Sequence, residues 1–342
     1  MERVAVNQAV GMVLGHDITE IVPGKFKGPA FKKGYIITEN DIPKLLDIGK
    51  QHIYVLDLDE NMIHENDAAL RMANSAMGPG VTLTEPSEGK VEFIASKTGL
   101  LRINPRALER INLLDGIIFA TIHGDHVVQK GQKLGGTRII PLTIEKEAIE
   151  TVERINRSYD EPVITVKPLK QHAIGIVTTG SEVYRGRIED KFGPVLKQKF
   201  ESLGSTIHRQ IIVDDDIDMI AGAIRTLIDE GVDFIATTGG MSVDPDDVTP
   251  AGIRAAGGVV LTHGAPVLPG AMFILAGIEG IPVVGLPACV MYVRTSIFEL
   301  IVPRLLAGES LNRTDIARLG YGGFCMSCDT CRYPACGFGK GA

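Results

Sequence analysis

Asp233-Phe234-Ile235-Ala236-Thr237-Thr238-Gly239-Gly240-Met241-Ser242-Val243-Asp244-Pro245-Asp246-Asp247 decides the reading of this chain. A short apolar run, the pattern of a buried strand, breaks into a glycine turn and is followed by three carboxylates. Gly175-Ile176-Val177-Thr178-Thr179-Gly180-Ser181-Glu182 repeats the opening: an apolar run, Thr-Thr-Gly, then an acid. In a parallel sheet the strands' C-terminal ends share one edge, and ligands bind there at the switch point. Glycine lets backbone amides approach a phosphate closely. Carboxylates beside a phosphate make chemical sense when a divalent cation lies between them. The stretch therefore points to a small phosphorylated ligand held with a hard metal ion.

Working outward, apolar runs and amphipathic segments alternate from residue 173 to 306. Strands are expected at 173–178, 206–213, 233–238, 258–262, 272–276 and 281–286. Helices are expected near 193–204, 217–230, 249–256 and 290–306, with Pro303 kinking the last helix or marking its final turn. Val/Ile-rich strands alternating with helices predict an α/β fold with three layers, a doubly wound, mostly parallel sheet covered on both faces. Smaller β-rich α+β domains are expected before it. The expected divisions are 1–78, broken at Met77-Gly78-Pro79-Gly80, then 79–165 with a connector helix from Glu145 to Asn156, then 166–308, then 309–342.

The chain has 342 residues, 44% hydrophobic and 23% charged, which fits soluble globular units. A net charge of -7 without a long basic run argues against nucleic acid as a partner. There is no apolar run of about 18 residues or more, and polar residues interrupt the start, so no membrane span or signal peptide is expected and the cytoplasm is the expected compartment.

Several N-terminal features have bland readings that outweigh functional ones. Phe26-Lys27-Gly28-Pro29-Ala30-Phe31-Lys32-Lys33-Gly34 reads as a basic, solvated, turn-rich loop. Thr38 to Leu46 has a capping pattern that opens a short helix. His64 and Glu65 are read as a cap or surface feature at a helix start. His123-Gly124-Asp125-His126 could ligate metal, but lacks a third nearby ligand and reads as a polar turn. Val127 to Leu142 reads as two strands around Lys130-Gly131, forming a hairpin.

Read in order, the motifs Thr179-Gly180-Ser181-Glu182-Val183, Gly186-Arg187-Ile188-Glu189-Asp190, Leu203-Gly204, Val213-Asp214-Asp215-Asp216, Thr238-Gly239-Gly240-Met241-Ser242-Val243 with Asp247, Pro269-Gly270 and Gly285-Leu286-Pro287 resemble the molybdopterin-binding domain of molybdenum cofactor biosynthesis. The resemblance spans about residues 172 to 307 and is most similar to the molybdopterin molybdenumtransferase branch. It implies a transferase that uses Mg²⁺ to insert molybdate or tungstate into adenylylated molybdopterin. It places Glu182, Asp190, Asp215 and Asp247 at the family's acidic, catalytic positions. Thr179, Gly180, Ser181, Gly239, Gly240 and Ser242 fall on its ligand-cradling loops, and Pro269 and Gly270 on a second substrate loop. By analogy with the family the chain would be a homodimer, with pterin and oxyanion substrates and a molybdoenzyme as recipient.

The residues' own chemistry agrees with that implication, since cleaving a pyrophosphate needs charge neutralisation and a positioned nucleophile. The chain also departs from the family. Where the family has Pro-Gly-Lys-Pro it has Pro269-Gly270-Ala271-Met272, without the lysine. Leu286-Pro287-Ala288-Cys289-Val290 lacks a glycine and an asparagine, and Phe192 stands where an asparagine is expected. These losses bear on catalysis more than on pterin binding, which keeps open a second reading: a non-catalytic molybdenum cofactor carrier. Asp244-Pro245-Asp246-Asp247-Val248-Thr249-Pro250 is also similar to the competence-damage-inducible relatives, which raises nucleotide pyrophosphatase activity as a third. A purely structural reading stands beside all three: Asp214-Asp215-Asp216 and Asp246-Asp247 each precede a helix that they could cap.

Four of the five cysteines fall in Cys325-Met326-Ser327-Cys328-Asp329-Thr330-Cys331-Arg332-Tyr333-Pro334-Ala335-Cys336. This C-x2-C-x2-C-x4-C spacing suits an iron–sulfur cluster or Zn²⁺ in a reducing compartment. Such a segment is expected to lack a hydrophobic core of its own, so a metal would order it. Cys289 stands apart and reads as a small buried residue.

Overall fold

The computed structural model describes residues 2–22, 26–55, 61–242 and 247–341. Val243, Asp244, Pro245 and Asp246, part of the acidic loop singled out above, lie outside the described residues. The chain divides into two compact units. The first takes the residues up to 97, with 103–122 and 130–165; the second takes 98–102, 123–129 and everything from 166 onward.

In the first unit, Glu2–Ala5 pairs antiparallel with His52–Val55, and Ile18–Val22 with Phe26–Phe31. The expected basic loop at Phe26 is thus largely a strand. Thr38 donates from both its amide and its hydroxyl to Asp41, at 2.9 and 2.6 Å, which opens the expected short helix Asp41–Asp47. A four-stranded antiparallel sheet runs Val81–Leu83, Lys90–Ala95, Lys133–Ile139, Ile117–Thr121 in spatial order. Phe93 and Phe119 stack within it, centroids 4.9 Å apart. His64 and Glu65 are buried, not surface groups: His64 accepts from Asn66 N–H at 3.3 Å as the N-cap of helix Glu65–Ala76, and its Nε2 meets the Gly15 carbonyl.

The expected hairpin across Lys130-Gly131 is not formed. Its two strands, Val127–Val128 and Lys133–Ile139, do not pair with each other. Val127 and Val128 pair with Leu100 and Gly99, while Lys133–Ile139 lies between Lys90–Ala95 and Ile117–Thr121. Burial decided these pairings, and a turn signal alone does not encode them.

The second unit carries the sheet that the sequence announced. Its strands are β1 (Ala173–Thr179), β2 (Thr206–Val213), β3 (Phe234–Thr238), β4 (Val259–His263), β5 (Ile274–Ile278) and β6 (Ile281–Leu286). Its helices are α1 (Ser181–Tyr184), α2 (Phe192–Ser202), α3 (Ile217–Asp229), α4 (Thr249–Ala255), α5 (Cys289–Tyr292), α6 (Ile297–Leu306) and α7 (Arg313–Arg318). The spatial order is β2-β1-β3-β6-β5-β4. The first four are parallel; β5 alone is reversed, running antiparallel to both of its neighbours, β6 and β4. The reversal follows from the two-residue link Glu279-Gly280, whose φ values of 52° and 85° suit a tight hairpin turn. A parallel crossover would need a dozen or so residues.

Alternate strand residues face opposite layers. Phe234 and Ala236 belong to one apolar cluster with Phe200, Phe273 and Phe298; Ile235 belongs to another with Ile220, Ile224 and Leu227. Burying each such side chain contributes about 1.5–3 kcal/mol, so these two clusters hold the three layers together. Gly175 leaves room for the second: a Cβ there would lie 2.9 Å from Leu227 Cδ1, so Leu227 would have to shift.

The single helix expected over 290–306 is two. Val293 to Ser296 interrupts it, and Ser296 with Glu299 forms a capping box that starts α6 afresh. Pro303 lies inside α6, in its last turn. The cysteine segment also corrects an expectation. Phe338 is 4% exposed and joins the cluster that contains Phe298 and Leu300; Cys325, Tyr333 and Cys336 pack against it. The Tyr333 hydroxyl donates to the Glu299 carbonyl at 3.3 Å. This segment therefore does share a hydrophobic core, through apolar packing on α6.

Candidate functional site

Loops after β2, β1, β3 and β6 emerge along one edge of the sheet. The loop entering β5 joins them, because Ile274 at the start of β5 pairs with Gly285 near the end of β6. All the acids and glycines proposed from the sequence lie on these loops.

The centre is a knot between β1, β3 and α4. The Thr249 hydroxyl donates to the Gly239 carbonyl at 2.9 Å, and Thr179 Oγ1 lies 3.1 Å from Thr249 Oγ1. A hydroxyl has one hydrogen, so Thr179 must donate to Thr249. The Thr249 amide donates to the Gly240 carbonyl at 3.1 Å. Gly239 has φ 84°, and a Cβ on it would stand 2.3 Å from the Thr179 carbonyl oxygen. At Gly240 a Cβ would stand 2.8 Å from Thr249 Oγ1. Both glycines are therefore demanded by contact as well as by backbone angle. Met241 is buried, with its sulfur against Gly285, while Ser242 is exposed. Thr249 was not singled out from the sequence; its position before Pro250, opening a helix, is the signal that could have found it.

A second cluster joins the loops after β1 and β2. The Ser181 amide donates to Asp215 Oδ2 at 2.8 Å, and the Ser181 hydroxyl reaches Asp215 at 3.2 Å and Asp214 more closely. Arg185 Nη2 donates to Asp214 Oδ2 at 3.1 Å. The Ser181 hydrogen bond, then Arg185, hold the Asp214 carboxyl below its ordinary value. Asp216 caps α3, accepting from Met219 N–H at 2.9 Å, as its position before a helix suggested.

Asp190 is committed to the scaffold. Its carboxylate accepts from the amides of Phe192 at 2.8 Å and Gly193 at 3.1 Å, at the start of α2, and from Gln210 Nε2 at 2.6 Å. Gln210 also donates to Thr178 Oγ1 at 2.8 Å, so the group ties α2 to β1 and β2. Glu182 is exposed on α1, and Asp247 is half-buried just ahead of α4. Pro269 and Gly270 sit on the same edge but pack on α6: Ile297 N–H donates to the Pro269 carbonyl at 3.2 Å, and a Cβ on Gly270 would meet Ile297 Cβ at 2.5 Å.

Cys325, Cys328, Cys331 and Cys336 line one cavity of about 660 Å³, together with Pro269, Arg294 and Thr295. Thr295 Oγ1 lies 3.2 Å from Cys331 Sγ. Cys328 is exposed and the other three are half-buried. Cys289 is half-buried too, and burial raises its thiol. Among the described residues no three His, Cys, Asp or Glu side chains converge as a metal site, either here or at the acidic loops. His126 is buried with Nδ1 3.1 Å from the Gly124 carbonyl, in a turn where Asp125 has φ 60°.

With this geometry in hand, comparison with known families is direct: residues 175–307 match the probable molybdopterin binding domain. This segment is a molybdopterin-binding-family domain. Residues 3–57 match a domain of unknown function (DUF8806). The CinA-like protein of Mycobacterium avium (strain 104) is 40% identical over 75 residues, 22% of this chain and 17% of that one. The CinA-like protein of Mycobacterium sp. (strain MCS) is 40% identical over 77 residues, 22% of this chain and 18% of its own length. The match thus spans under a fifth of these curated relatives. Among solved structures, the molybdopterin biosynthesis enzyme MoaB of Thermus thermophilus is 20% identical, covering 41% of this chain and 98% of that chain with a TM-score of 0.33. The tungsten cofactor synthesizing protein MoaB of Pyrococcus furiosus is 21% identical, covering 41% and 97% with a TM-score of 0.33. The molybdopterin-binding-family domain contains the Thr179–Gly239–Thr249 knot and the Ser181–Asp215 contact. The cysteine segment lies beyond the matched residues. No described helix is long and apolar enough to cross a membrane.

Proposed function

We propose that this edge binds a molybdopterin-type pterin phosphate, free or adenylylated, and that the chain serves molybdenum cofactor biosynthesis. The observation that carries the reading is the Gly239-Gly240 turn, locked by Thr179 and Thr249 inside the matched segment. A glycine turn so fixed presents backbone rather than side chain to a ligand, the arrangement that suits an anionic phosphate.

Two of the four acids read from the sequence as Mg²⁺ ligands already have partners. Asp190 is spent on α2 and Gln210, and Asp215 on Ser181. These commitments favour a holder that binds the pterin and passes it to a molybdoenzyme. The second reading is Mg²⁺-dependent insertion of molybdate or tungstate into the adenylylated pterin. It is supported by Asp247, which lies two residues ahead of Thr249, and by Glu182, whose carboxylate lies 3.7 Å from where a Gly180 Cβ would stand. The four tail thiols are read as ligands of an iron–sulfur cluster or Zn²⁺.

The deciding experiment measures pterin binding and AMP release on one sample, from adenylylated molybdopterin with Mg²⁺, with and without molybdate. Tight binding without release supports the holder. Molybdate-dependent release establishes the transferase instead. Hydrolysis of a dinucleotide with no pterin bound would place the chain with nucleotide pyrophosphatases. Failure to bind the pterin at all overturns the assignment.

A further inference from the structure

The cysteine segment is stitched to the site's edge at two points. Leu268 N–H donates to the Gly323 carbonyl and the Leu268 carbonyl accepts from Cys325 N–H, both at 2.8 Å. This parallel bridge between Leu268 and Phe324 makes the segment a one-residue extension of the loop that enters β5. The next residue, Pro269, walls the thiol-lined cavity, and its carbonyl is held by Ile297 N–H. The second stitch is Thr295 to Cys331, 3.2 Å apart, in the loop after β6. Two of the loops on the site's edge are therefore gripped by residues adjacent to, or identical with, the four cysteines.

We propose that thiophilic metal in this cavity, as an iron–sulfur cluster or Zn²⁺, regulates pterin binding by setting the position of the Leu268-Pro269-Gly270 strap. The proposal rests on the pterin reading above and adds a regulatory site to it. Four thiols at C-x2-C-x2-C-x4-C spacing line one cavity, which is the ligand count a tetrahedral site or cluster needs. They have not converged among themselves, so loading must draw them inward. Apolar packing already holds Cys325 and Cys336 against the core beneath α6, and Cys328 is exposed. Convergence therefore moves Cys328 and Cys331 most, and their pull reaches the anchored Cys325 through Met326 and Ser327, which join it to Cys328. The Cys325 amide is bonded to Leu268, so the strain passes directly into the strap. Gly270 cannot absorb it by moving toward α6, because Ile297 already fills the space a Cβ would need. Binding of Zn²⁺, or of an iron–sulfur cluster delivered already assembled, needs no oxidant: thiols lose protons to solvent as sulfur–metal bonds form.

The test uses the full chain, purified anaerobically, in three forms: metal-loaded, chelator-stripped, and the double variant Cys328→Ser/Cys331→Ser. Iron, sulfide and zinc are quantified for each. Backbone hydrogen exchange is then read over 266–272 and 323–326, and pterin affinity is measured in parallel. The proposal expects about one metal centre per chain in the loaded form and slower exchange at Leu268 and Cys325. It also expects a shift in pterin affinity of about 5- to 150-fold, the usual span of coupled sites. The double variant should lose metal and behave like the stripped protein while keeping its far-ultraviolet circular dichroism. Full loading with unchanged exchange and unchanged affinity overturns the coupling, and so does a loaded preparation that retains neither iron nor zinc. If exchange shifts on loading but no form binds pterin, the pterin reading fails and regulation of pterin binding falls with it, while the metal site stands on its own measurement.

Discussion

Thr249 Oγ1 lies 2.9 Å from the Gly239 carbonyl, and through it the first turn of α4 holds the turn that ends β3. Removing that hydroxyl while keeping the shape is a direct probe. Thr249→Val should cost about 1–3 kcal/mol, the usual penalty for leaving buried partners unsatisfied. Its pterin affinity should fall more than its melting temperature suggests. Calorimetric binding set beside thermal melts checks both.

Gly239→Ala tests the turn from the other side. Its Cβ would meet the Thr179 carbonyl at 2.3 Å, at a φ of 84°. Backbone strain of this kind costs about 1–3 kcal/mol before the clash is counted. The variant should fold with a lowered denaturation midpoint and lose pterin binding. Wild-type affinity in Gly239→Ala would remove the turn from the site.

The acids should separate by role. Asp190→Ala leaves two α2 amides and Gln210 without their acceptor, and loss of a cap costs about 0.5–2 kcal/mol. If the chain is a transferase, Asp247→Asn loses AMP release with pterin still bound; if it is a holder, there is no release to lose. Urea melts of both variants, alongside the release assay, give the answer.

Acid should destabilise the protein earlier than its carboxylates alone would predict. Burial lowers the pKa values of His16, His64 and His126 from the ordinary value of 6.5. Each therefore binds its proton more weakly folded than unfolded. Their contribution is fully present above about pH 6.5 and is lost as pH falls through that value toward the folded ones. Asp214, held low by Ser181 and Arg185, adds a term present above its unfolded value and lost at lower pH still. Melting temperatures from pH 8 to 4 should decline below about pH 6.5, and His64→Gln should flatten part of that slope.

Much of the α/β unit was legible because its signals are local. Val/Ile-rich runs became β1, β2, β3 and β6, Asp216 capped α3, and Thr-Thr-Gly closed two strands. What was missed depends on partners distant in sequence. Nothing local says that Val127 pairs with Leu100. The hydrogen bond from Gln210 to Asp190 was invisible because the two stand on different elements. The cysteine segment looked coreless because Phe338 finds its neighbours on α6. Two misses were readable after all: Ser296-x-x-Glu299 is a helix-start pattern, and Glu279-Gly280 is too short for a parallel crossover.

Phe338 sits in the same apolar cluster as Ile174 and Phe234. During synthesis that cluster stays unfinished until residue 338 has cleared the ribosome, well after the last strand and α6 have emerged. The N-terminal unit has no such wait for its own core around Leu14, Leu45 and Ile53. The order of emergence thus leaves a nascent chain with one settled half and an open greasy seam beside α6. A stop codon introduced before Phe338 would leave that seam uncovered.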